Sequence, residues 1–147
     1  MKSKNKIKIG IIGTSFRESV TNELEKRCIA TLRKNGILSS QIKSIRVPGA
    51  FEVPLATKKM AESGKYDCLI TLGAVVKGDT YHFEQIANEC ARGCAEVSRQ
   101  YGIPVIFEVL AVYKIEDAVE RATRKTENKG VEAAETALAM IKLISKL

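Results

Sequence analysis

The stretch GAVVKGDTYHFE, residues 73–84, carries the chain's single histidine, His82. A free imidazole titrates at about pH 6.5, so near neutrality it can both release and take up a proton. Two readings of His82 stand side by side: a solvated residue at a helix start, or a group that moves protons for a bound anionic substrate. The preceding Gly78-Asp79-Thr80 joins a strand end to a helix start, where converging N–H groups and the helix dipole favour an anion. Asp79 is equally suited by type to be the N-cap of that helix. As its own charge repels an anion, a nearby cation is required. Arg121, Arg124, Lys125 and Lys129 are the candidates.

Other chemistry is thin. A single imidazole without further histidines does not make a zinc site. No nucleophile elbow is present, nor a glycine-rich nucleotide fingerprint. Cys28, Cys68, Cys90 and Cys94 form no CxxC pair, and free cysteine in an apolar pattern behaves as a small hydrophobe. Two further segments have a shape suited to a ligand. In GTSF, Phe16 is either a loop plug or a stacking surface. In PGAFEVP, Ala50 lets a flat molecule approach the backbone, Phe51 offers a ring face, and the amides of a helix start can donate. There Glu52 is also explained as a complement to the helix dipole.

The elements that must position these residues follow from hydrophobic periodicity. IKIGIIG (7–13) reads as a strand covered on both faces, and Val20, Leu24, Cys28 and Leu32 recur every four residues in a helix over 18–35 that stops at Gly36. A strand at 42–47 ends at Pro48-Gly49, and a short helix runs over 51–62. A strand at 66–76 precedes a helix over 80–101 with Phe83, Ile86, Cys90, Cys94 and Val97 on one face. The last strand spans 103–112, and helices over 115–124 and 130–147 finish the chain. This alternation predicts an α/β fold: a three-layer, flavodoxin-like sandwich with a four-stranded parallel sheet and helices on both faces. Ligands of such sheets lie beyond the carboxyl ends of the strands, where Phe16, PGAFE and GDTYH all fall.

Composition bounds the rest. At 147 residues the chain is read as one domain, 1–147, with residues 1–6 a basic tail. The net charge of +7 is spread along the sequence among acids, and 5% aromatics without tryptophan leave little for base stacking. No nucleic-acid partner is expected. No apolar stretch suits a bilayer and no signal-peptide core follows the basic start, so a cytoplasmic protein without membrane contact is expected.

Assembled, IGIIGTSF, VPGAFEVPLATKKMAE, YDCLITLGAVVKGDTYHFE, GIPVIFEVL and ERATRKTENKG resemble lumazine synthases over nearly the whole chain. PGAFEVP followed by LGAVVKGDTYHF is a highly specific pair. The resemblance implies condensation of 5-amino-6-(D-ribitylamino)uracil with 3,4-dihydroxy-2-butanone 4-phosphate to 6,7-dimethyl-8-ribityllumazine, with no cofactor and no metal. By it, His82 transfers protons, and Phe16 and Phe51 border the pyrimidine. Ala50, Phe51 and Glu52 with Ala74, Val75 and Val76 hold the uracil and ribityl chain. Asp79 and Thr80 receive the phosphate, with Arg121 as its cation and Lys129 as a further binding residue. Phe107 and Arg121 come from an adjoining subunit, so the resemblance implies pentamers, in many members packed into 60-subunit shells, and an association with riboflavin synthase.

The chain departs from the family pattern at Arg17, where Asn is usual, at Ala111-Val112, and at Glu127, where glycine is common. These departures bear on loop shape and assembly. Two rivals share the resemblance: an archaeal-type riboflavin synthase, and a shell protein that binds flavin or lumazine without turnover.

Overall fold

In the computed structural model, which describes residues 3 and 6–147, four strands and five α-helices alternate. Of the expected basic tail, Met1, Lys2, Lys4 and Asn5 lie outside the described residues. The strands are β1 (Ile9–Thr14), β2 (Ile42–Val47), β3 (Cys68–Val76) and β4 (Val105–Val112). The helices are α1 (Glu18–Lys34), α2 (Val53–Glu62), α3 (His82–Tyr101), α4 (Ile115–Thr123) and α5 (Lys129–Ile144). All sheet pairings are parallel, in the order β2-β1-β3-β4. The expected α/β three-layer arrangement is therefore present.

Why both faces are covered follows from the pleat, which turns successive side chains to opposite sides. Ile9 and Ile11 of β1, with Cys68, Ile70 and Leu72 of β3, pack against α1, α4 and α5, which contribute Leu24, Cys28, Leu32, Ala118, Ala122, Ala133 and Ala137. Ile12, Leu69 and Val109 point the other way, onto Val53 and Ala61 of α2 and Cys90, Cys94 and Val97 of α3. The three- and four-residue helical spacing in α1 and α3 sends these residues inward on one face. Fully burying a Leu or Ile side chain contributes roughly 1.5–3 kcal/mol, so the stability resides in these two layers rather than in the loops.

Boundaries differ from the sequence expectations where hydrogen bonding, not apolarity, decides. Ile7 is buried but precedes the β1 ladder, and a short 3-10 turn at Ser39–Gln41 leads into β2. The helix expected from 51 opens as a 3-10 turn over Ala50–Glu52 before α2 begins. The expected stop at Gly36 is present: its φ of 94° is left-handed, and the Gly36 N–H donates to the Arg33 carbonyl at 3.0 Å. Glu127 also takes a left-handed φ, 52°, and its carbonyl accepts from Arg124 Nε at 2.9 Å. The bend that glycine would make easily is thus made here by a glutamate.

The α4–α5 junction hangs on one buried side chain. Asn128 Nδ2 donates to the Ala122 and Arg124 carbonyls, each at 3.0 Å, while Oδ1 accepts from the Gly130 and Val131 amides at 2.9 and 3.1 Å. It closes the end of α4 and caps the start of α5 together. Asn128→Ala leaves four backbone groups without these partners and is expected to cost about 2–4 kcal/mol in urea denaturation. Asn128→Asp, which keeps the acceptor, should lose less. An Asn128→Ala protein within 0.5 kcal/mol of the parent contradicts this role.

Candidate functional site

Because the strands are parallel, β1, β2 and β3 end on one edge, and the loops that follow them meet there. Past the strand ends the β1–β2 ladder continues: Ser15 N–H donates to the Val47 carbonyl at 2.7 Å, and Phe16 N–H to the Pro48 carbonyl at 2.9 Å. Thr14 Oγ1 donates to the Phe16 carbonyl at 3.0 Å and shares a 3.0 Å hydrogen bond with Thr21 Oγ1. The loop carrying Phe16 is thereby tied to the loop carrying PGAFE. In the latter, Glu52 reaches back so that its Oε1 accepts the Gly49 N–H at 2.9 Å. This gives Glu52 a local structural task beside any ligand contact.

Together these loops enclose a cavity of about 520 Å³ lined by Phe16, Ala50, Phe51, Glu52, Ala74, Val75, Val76, Thr80 and His82, all expected, and by Arg17, Gly49, Gly78, Phe83 and Ile86. That volume lies in the range of small-molecule sites. Phe16 is 66% exposed and Phe51 56%, so neither ring is a loop plug and each offers open surface to a flat ligand. Ala74–Val76 supply the final residues of β3 as a wall of backbone and small side chains. The lining combines apolar surface with three ionisable side chains, those of Arg17, Glu52 and His82.

His82 is the first residue of α3. The helix was expected from Thr80, which requires correction, and the alternative reading of Asp79 as its N-cap is not met. Asp79 and Thr80 form a bend, the cap position falls on Tyr81, and no side chain closes it. Glu84 N–H donates to the Tyr81 carbonyl at 3.0 Å, which makes Tyr81 the first acceptor and leaves the amides of His82 and Phe83 ahead of the ladder. These donors, the dipole of a 20-residue helix and the imidazole occur at one end of the cavity.

Four expected residues are not on the lining. Asp79 is exposed beside the cavity, and Phe107 lies on the edge strand β4, 39% exposed. Arg121 belongs to α4, where its Nη1 donates to the Asp117 carbonyl at 3.0 Å. Lys129 starts α5 and pairs with Glu132 at 2.8 Å. None of the three basic or aromatic residues Phe107, Arg121 and Lys129 reaches the cavity of its own chain. Of the residues sequence reasoning missed, Phe83 and Ile86 carried a signal that was assigned to the core. Both line the cavity, and Ile86 also packs against the core, so the apolar face of α3 serves the two at once.

All four cysteines are buried, and Cys28 and Cys68 are poor nucleophiles. Burial, reinforced by Glu25 and Glu108, pushes the Cys28 thiol up to about 12, and burial raises Cys68 as well. Among the described residues no group of three or more His, Cys, Asp and Glu side chains is placed to hold a metal ion.

Glu108 is the one strongly displaced carboxyl. It follows Phe107 on β4, and the pleat sends it to the same face as Ile106 and Leu110, beneath α5. Desolvation raises it to about 7, opposed by Lys129 and reinforced by Glu132. Since the folded value exceeds the unfolded one, the contribution to stability is complete below about pH 4.5 and is lost as pH rises through about 7. Glu108→Gln should therefore match the parent at pH 4.5 and exceed it at pH 8. With solvent reaching the half-buried carboxyl, a gain on the order of 1 kcal/mol is expected from denaturation curves at the two pH values. An equal difference at both pH values contradicts the assignment.

One comparison with known proteins bears on all of this: the family model described as 6,7-dimethyl-8-ribityllumazine synthase matches residues 6–145.

Proposed function

The chain belongs to the 6,7-dimethyl-8-ribityllumazine synthase family, whose members are transferases of riboflavin biosynthesis, and from that premise we propose the reaction and the roles at its cavity. The chain condenses 5-amino-6-(D-ribitylamino)uracil with 3,4-dihydroxy-2-butanone 4-phosphate and releases 6,7-dimethyl-8-ribityllumazine, phosphate and water. The observation that carries this reading is the meeting, in one cavity, of two open aromatic rings, a strand-end backbone wall and an imidazole at a helix start.

The chemistry asks for little beyond those parts. An amine and a ketone join through an imine, phosphate leaves, and a second condensation closes the ring; each step moves protons. His82 is the group that accepts and returns them, an effect typically about 10²–10⁴-fold. Holding both substrates edge to edge supplies much of the remaining acceleration. Phe16 stacks on the pyrimidine, and Phe51 borders it. Ala50, Glu52 and Ala74–Val76 hold the uracil and ribityl groups, largely through backbone. Thr80, the nearby bend with Asp79 and the leading amides of α3 receive the phosphate.

The place of the expected phosphate cation, Arg121, suggests a second copy. Arg121, Lys129 and Phe107 lie away from the cavity of their own chain, and Phe107 is exposed on an edge strand. In the proposed pentamer a neighbour presents these residues to the cavity, Arg121 holding the departing phosphate. Assembly of twelve pentamers into a shell, association with riboflavin synthase and a cytoplasmic location extend the same proposal. So does the reading of residues 1–147 as one domain. Among the described residues no helix is long and apolar enough to cross a membrane.

Mixing the protein with both substrates should generate the lumazine chromophore and free phosphate in equal amounts. His82→Ala should lower kcat by about 10²–10⁴-fold while the affinity for the product stays within about threefold. Riboflavin formed from 6,7-dimethyl-8-ribityllumazine alone, or binding without turnover by the parent, overturns the assignment. An unchanged kcat in His82→Ala removes the histidine from the mechanism.

A further inference from the structure

The cation that the cavity itself contains is Arg17, a residue outside every expected binding role. Of the lining side chains it alone is a lysine or arginine. Its guanidinium carbon lies 5.1 Å from the centre of the Phe16 ring, within cation–π range. The backbone there is left-handed, φ 60° and ψ 42°, a conformation that costs an L-residue about 1–2 kcal/mol. Such strain persists where the surroundings over-determine it, and here they do. Phe16 is fixed by its bonds to Pro48 and Thr14, and the Arg17 carbonyl accepts from the Val20 and Thr21 amides at 3.0 and 3.2 Å.

The guanidinium is also uncommitted. None of the ion pairs among the described residues involves Arg17. Glu52, the acid on the same lining, already receives the Gly49 amide. A planar fork with five N–H donors, laid against an aromatic ring at the mouth of a cavity, matches flat acceptors better than a point charge does. Arg17 belongs to the loop after β1 with Phe16, whereas the amides suited to phosphate open α3, after β3.

We propose that Arg17 is a positioning residue for the flat heterocyclic substrate: it braces the Phe16 ring and donates to oxygen atoms of the molecule stacked there. The identity of that molecule rests on the function proposed above.

The test compares the parent with Arg17→Gln and Arg17→Lys. Glutamine keeps a side chain with the same backbone cost at positive φ but removes the charge, and lysine keeps the charge without the fork. The first readout is equilibrium binding of 6,7-dimethyl-8-ribityllumazine, followed by its own fluorescence. A charge-assisted hydrogen bond lost to Arg17→Gln corresponds to a rise in Kd of about tenfold. Arg17→Lys should fall between it and the parent. In turnover, KM for the ribitylaminouracil should rise in parallel, with kcat retained and KM for the butanone phosphate unmoved. An unchanged Kd in an Arg17→Gln protein of parental melting temperature overturns the proposal. So does a KM effect confined to the butanone phosphate, which would make Arg17 a phosphate cation. If Arg17→Gln does not fold, Arg17→Asn, better suited to positive φ, takes its place. Because product binding requires no catalysis, a parent that binds but does not turn over defeats the functional reading and leaves the Arg17 comparison decisive.

Discussion

Two backbone hydrogen bonds beyond the sheet, from Ser15 to Val47 and from Phe16 to Pro48, hold the mouth of this molecule in shape. Parallel strands bring their carboxyl ends to one edge, but they do not by themselves dictate how the following loops lie. Here the ladder continues into those loops, with bond lengths of 2.7 and 2.9 Å. Phe16 is consequently tied beside the PGAFE turn, both on the cavity lining, and the aromatic walls are placed by main-chain geometry. Proline contributes through its carbonyl, the one backbone partner it retains.

This division of labour separates stability from chemistry. The buried apolar side chains occupy two layers on either side of the sheet, whereas Phe16, Arg17, Phe51 and His82 stand on exposed loops or a helix end. Substituting the latter removes little buried surface. The exceptions lie at the junctions. Asn128 is buried and polar, and Glu108 brings a carboxyl under α5; both adjoin Lys129, so the fold and any role of that lysine are coupled.

Much of this was legible before any coordinates. β1 and β3 are buried on both sides, so their residues form mostly apolar runs, and the three- and four-residue spacing of α1 and α3 announces which face turns inward. PGAFE and GDTYH fall at strand ends because that is where a parallel sheet exposes its loops. Element ends were less legible. Apolarity marks burial, but Ile7 is buried outside the ladder, and Asp79 has the residue type of an N-cap without occupying the position. Arg17 was legible only as a departure from the usual Asn; its place on the cavity lining and its left-handed backbone beside the Phe16 ring were not. Phe107, Arg121 and Lys129 lie off the cavity lining of their own chain, and periodicity carries no information about where the proposed neighbour would place them.

The account comes down to a flat substrate held on Phe16 within reach of one imidazole. A structure of the protein with 6,7-dimethyl-8-ribityllumazine bound tests this most directly. The heterocycle should stack on Phe16 beside Ala74–Val76, with an atom of the ring formed in the reaction within about 3–4 Å of the His82 imidazole. A ligand lodged elsewhere, or one seated in the cavity with its newly closed ring turned away from His82, would contradict it.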